Sequence, residues 1–97
     1  MLELAEMFFA EVPQRLTILR DGLAQGNAAE VARVAHLLKG SAGNIGAART
    51  AALAGRLEKA ARGGQLGEGA PVFAELEHEL PRFRAALDLY LATHAAR

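Results

Sequence analysis

The sequence predicts an all-α protein, an up-and-down antiparallel four-helix bundle. Three observations carry this expectation. Apolar residues recur at helical spacing through four segments, no stretch alternates with period two, and the breaks are short and polar or glycine-rich. Short connections between helices favour antiparallel neighbours. The 97 residues suit one domain over 1–97 with a single core. Hydrophobic residues make up 52% and aromatic ones only 5%, so Leu, Ala and Val build that core, and Ala and Leu also favour helix.

The first segment covers 2–25, with Leu4, Phe8, Val12, Leu16, Leu19 and Leu23 in helical register. Pro13 interrupts it, because proline lacks the amide hydrogen and crowds the preceding turn. The first helix is therefore either kinked at Pro13 or preceded by a short helix that ends there. Gly26-Asn27 closes the segment. Asn27 reads as the N-cap of the second helix, with Glu30 three residues on in a capping-box-like arrangement. That helix ends near Gly46, a C-terminal glycine. The third covers 49–62, with Leu53, Leu57 and Ala60 inward and Glu58/Arg62 as an i,i+4 pair; Gly63-Gly64 stops it. A loop over 63–69 leads to the fourth, which starts near Ala70-Pro71 and continues through Phe73, Leu76, Leu80, Phe83, Leu87 and Leu91. Pro81 should bend it by depriving the Glu77 carbonyl of its partner, and 94–97 should fray.

The second helix carries the chemistry. Val31, Val34, Ala35, Leu38, Ala42 and Ile45 form its apolar stripe, and His36 points away from it. The neighbours of His36 on the exposed side are Ala29, Ala32, Arg33, Lys39, Gly40 and Gly43. Glycine within a helix costs about 0.5–1 kcal/mol relative to alanine, so its recurrence here suggests a surface that something must approach closely. Gly40 sits one turn from His36, where any side chain would crowd the imidazole; the other reading is close packing of a neighbouring helix. Gly43 stands open between those two roles.

The run from His36 through Leu38-Lys39-Gly40-Ser41-Ala42-Gly43-Asn44-Ile45-Gly46 resembles the signature of histidine phosphotransfer (HPt) domains, the helical bundles that relay phosphoryl groups between receiver domains. The spacing of apolar segments agrees with that family across nearly the whole chain. The resemblance implies a phosphorelay intermediate in two-component signalling, in which His36 takes a phosphoryl group from a receiver aspartate and passes it on. It implies no catalytic activity of its own and no cofactor, with Mg²⁺ held by the partner receiver. A hybrid sensor histidine kinase is a further implied partner. Lys39, three residues from His36, is then placed for a charge-assisted contact with the phosphoryl group, against the reading of an ordinary solvated lysine. Family members carry a polar side chain at the position matching Glu58, where a carboxylate can orient the imidazole; a plain surface pair with Arg62 is the other reading. Ala32, Arg33, Gly40 and Gly43, with Glu58 and Arg62, are the expected docking patch.

Two alternatives stand beside this one. The donor can instead be the ATP-binding domain of a chemotaxis-like kinase, or the bundle can be an interaction or dimerisation module that is never phosphorylated. Eleven basic and eleven acidic residues cancel, which argues against nucleic-acid binding. No cysteine is present, so there is neither a disulfide framework nor a thiolate zinc site. No metal site is expected: His78 and His94 read as solvated residues without ligand-like pairing. Gly40-x-x-Gly43-x-x-Gly46 lacks the GK[ST] ending of a phosphate loop. The chain has no basic, apolar leader and no apolar run of about 18–20 residues, so a cytoplasmic domain without membrane insertion is expected.

Overall fold

The computed structural model describes residues 2–95. They form four helices: α1 (Leu2–Gln25), α2 (Ala28–Asn44), α3 (Ala48–Arg62) and α4 (Gly69–Ala95). The stretch expected as a plain loop before α4 contains a 3-10 turn at Leu66–Glu68. Among the described residues there is no strand, and no helix is long and apolar enough to cross a membrane.

Both internal prolines are accommodated without ending a helix. α1 runs unbroken through Pro13, so no separate short helix precedes it, and α4 passes Pro81 in the same way. Each proline lies on the exposed side of its helix. Phe8, Val12, Leu76 and Leu80 anchor the opposite face in the core. Burying those side chains contributes roughly 1.5–3 kcal/mol each, which together outweighs one lost hydrogen bond per helix. α4 is helical through Ala95; Ala96 and Arg97, the rest of the stretch expected to fray, lie outside the described residues.

The α2 stripe is buried as its spacing requires, with Val31, Ala35, Leu38 and Ala42 fully enclosed. Leu53, Leu57 and Ala61 of α3 and Phe73, Leu76 and Leu80 of α4 belong to the same core cluster. Ala61, not Ala60, is the buried alanine of the last α3 turn, and Leu4 is left exposed at the start of α1. Links between helices fix their mutual placement. Phe9 stacks on Phe83 with ring centroids 6.2 Å apart, Arg20 pairs with Glu77 at 2.6 Å, and Arg49 with Glu79 at 3.3 Å.

The entry and exit of α2 are well defined. The Asn27 side chain accepts a hydrogen bond from the Glu30 amide at 3.2 Å. The reciprocal half of the capping box is not made, since the Glu30 carboxylate turns to Arg33 and the Asn27 amide donates to the Gly22 carbonyl. After Ile45 the chain turns at Gly46 with φ +77°, a left-handed conformation that a side chain would strain. This turn brings α3 directly back against α2.

Candidate functional site

α2 and α3 together build a small polar centre on an otherwise apolar contact. The α2 stripe points at α3, so residues at the edge of the stripe stand along the seam between the two helices. His36 and Lys39 are edge residues from α2; Glu58 and Arg62 are their counterparts from α3. All four come together at the Glu58 carboxylate.

Glu58 is buried, with its side chain only 11% exposed. Its Oε2 lies 3.1 Å from His36 Nδ1 and accepts from Arg62 Nε at 2.8 Å. Its Oε1 is 3.3 Å from Lys39 Nζ. Burial pushes the carboxyl group up, but the hydrogen bonds from Arg62 and Lys39 and the charges of Lys39 and His36 outweigh it. The net effect holds Glu58 below its ordinary value, so it is ionised at neutral pH. An ionised carboxylate can only accept. The His36 nitrogen facing it must therefore carry the proton, and Nε2, across the ring, keeps its lone pair. The His36 side chain is 60% exposed, which leaves that lone pair accessible to a partner.

The surroundings of His36 are small. A Cβ on Gly40 or on Gly43 would meet no atom outside its own helix turn within 4 Å, so neither glycine serves to let a neighbouring helix pack closely. Beside His36 lies a groove of about 540 Å³ along the α2–α3 seam, lined by Ala28, Ala29, Ala32, Arg33, Leu37 and Arg62 among others. Ala32 was expected on the exposed face. It is buried, 6% exposed, because α3 closes over that edge of α2 near Ala61. It forms the floor of the groove, and a charge placed there would be partly buried. Arg33 stands on the rim, paired with Glu30.

Three features escaped the sequence reading. Lys39 is bonded to Glu58, a contact that needs the relative height of two helices to be known. Leu37 is an exposed leucine next to His36, and its position off the buried stripe was the available signal. Gly55 underlies Lys39: a Cβ there would stand 3.3 Å from Lys39 Cδ, so the glycine gives the lysine stem a flat bed across α3. Of the remaining histidines, His78 is exposed on α4, and the side chain of His94 lies outside the described ones. Among the described residues no group of three or more His, Cys, Asp or Glu is arranged to hold a metal ion.

A family model described as Hpt domain matches residues 3–86, and the chain belongs to that family. The matched region contains the whole His36–Lys39–Glu58–Arg62 cluster and ends within α4. Compared with curated proteins and with solved structures, the chain has no significant match. Hpt membership gives the chain a phosphotransfer role in two-component signalling, working with receiver domains or kinases.

The Glu58 geometry has a consequence for stability. Its carboxyl is lowered in the folded state, so the stability it contributes is present above the unfolded-state value and is lost as pH falls through the folded one. Urea denaturation of the wild type and Glu58→Gln should therefore show a gap at neutral pH that closes on acidification below the usual carboxylate range. A gap that stays constant with pH would contradict the ionised assignment. The open space over Gly40 predicts that Gly40→Gln folds and gains up to about 1 kcal/mol from helix propensity, while phosphotransfer by the domain falls. Normal transfer with a lowered melting temperature would show instead that the glycine is needed for packing.

Proposed function

We propose that this Hpt domain is a phosphorelay intermediate in which His36 accepts a phosphoryl group from a receiver-domain aspartate and passes it to another receiver. The observation that carries the reading is the bond from His36 Nδ1 to the ionised Glu58, which turns an unprotonated Nε2 toward solvent. Phosphoryl transfer depends mainly on in-line positioning and charge stabilisation. The Nε2 lone pair attacks phosphorus, the bond to the aspartyl oxygen breaks, and the receiver carboxylate leaves. The ring then carries a positive charge with its proton still on Nδ1, where Glu58 accepts it. In the outward direction the same protonated ring is the better leaving group, so one arrangement serves both directions.

Lys39 supplies a cation one turn from Nε2, and its exposure keeps that contribution modest. Gly40 and Gly43 leave room for the incoming acyl phosphate. The groove beside His36, with an alanine floor, Leu37 and the rims at Arg33 and Arg62, is the docking surface for the receiver, a mainly apolar contact with a polar edge. Mg²⁺ belongs to the receiver on this reading, and the chain is a carrier in the cytoplasm without catalytic activity of its own. Residues 1–97 then form one such domain. An up-and-down antiparallel order is supported by the short connections and by the pairing of Phe9 with Phe83 and Arg20 with Glu77.

Incubation with a phosphorylated receiver tests the proposal. Label should pass to the wild type as an acid-labile, base-stable modification and be absent from His36→Gln. Label retained by that variant would overturn the assignment. Labelling only by a kinase with ATP would favour the chemotaxis-like alternative, and no label from any donor would favour a plain interaction module.

A further inference from the structure

Two cations share Glu58 with the imidazole, and they hold it in different ways. Arg62 lies one turn after Glu58 on the same helix and donates Nε to Oε2 at 2.8 Å, the oxygen that also faces His36 Nδ1. Lys39 comes from α2, three residues after His36, and reaches the other oxygen, Oε1, at 3.3 Å. Its stem lies over Gly55, where a Cβ would stand 3.3 Å from Lys39 Cδ. We propose that Arg62 is the positioning residue of the site, keeping Glu58 on the imidazole while Lys39 passes from Glu58 to the phosphoryl group. The proposal rests on the phosphocarrier reading above.

The physical argument is one of charge. A phosphoryl group on Nε2 brings up to about two negative charges and three acceptor oxygens to the α2 surface. Of the two cations on Glu58, Lys39 is the one on that same helix, and its flexible four-carbon stem lets the ammonium change partner. If it leaves, Glu58 loses one of its cations while remaining buried, and a buried carboxylate with fewer cations around it takes up a proton more readily. A protonated Glu58 would no longer stabilise the positive charge that phosphorylation puts on the ring. Arg62 prevents this. Its guanidinium is always charged, and the i,i+4 spacing keeps it on Oε2 whatever Lys39 does. The arginine thus acts on His36 through Glu58, and the lysine on the phosphoryl group directly.

Nitrogen-detected NMR of the whole chain tests this, with phosphoramidate as the donor: its N–P bond breaks as the bond to Nε2 forms, and ammonia leaves. On phosphorylation the Lys39 ammonium resonance should shift and gain protection, while the Arg62 Nε–H resonance stays in place. Arg62→Gln should raise the Glu58 carboxyl titration and slow phosphoryl transfer from phosphoramidate, a donor that needs no docking surface, several-fold, and Arg62→Lys should restore part of both. The proposal is overturned if the Arg62 resonance follows the phosphoryl group while Lys39 stays. It is overturned equally if Arg62→Gln leaves the Glu58 titration and the transfer rate unchanged. A phosphohistidine that forms normally in either case leaves the phosphocarrier reading intact, whereas no phosphohistidine signal on His36 sinks that reading and this proposal with it.

Discussion

A buried carboxylate must be paired, and the pairing of Glu58 organises everything else at this site. Removing such a charge from water is costly unless donors replace the lost solvation. Here they come from both sides of the α2–α3 seam: Arg62 from its own helix, His36 and Lys39 from the neighbouring one. The two helices are held at the necessary spacing by a mainly apolar contact, with Leu38 and Leu57 fully buried. Core packing therefore sets the reach, and the carboxylate uses that reach to fix one edge of the imidazole. The opposite edge is left exposed.

Much of this was legible in the sequence because α2 has two faces with opposite demands. Six positions from Val31 to Ile45 obey the 3.6-residue period and all six are buried, so the exposure of His36 followed from geometry, although the ring stands at the edge of the stripe on the α3 seam and does not point directly away from it. Asn27 and Gly46 marked the ends of that helix by chemistry that allows few alternatives: a side-chain acceptor at one end and a left-handed backbone at the other. The glycines at 40 and 43 announced an open surface, and the space above them is empty of neighbouring helices.

What escaped the sequence depends on contacts between segments. Ala32 is on the correct edge of α2 but is covered by α3, a matter of how far one helix rolls over another. The bond between Lys39 and Glu58 joins residues on different helices, and no periodicity within one helix encodes it. At Pro13 and Pro81, local propensity argued for a break that tertiary packing overrode, because both residues are exposed while the inner face stays anchored. The half-made capping box is similar in kind: Arg33 competes successfully for the Glu30 carboxylate, and the Asn27 amide already has a carbonyl of α1.

The central claim is that Glu58 dictates which imidazole nitrogen of His36 is bare, and long-range proton–nitrogen NMR of the ring reads this directly. At mildly alkaline pH the account predicts the proton on Nδ1 and an unprotonated Nε2 in the wild type, with that preference lost in Glu58→Ala. A wild-type ring protonated on Nε2, or one whose tautomer is unchanged in Glu58→Ala, would contradict it.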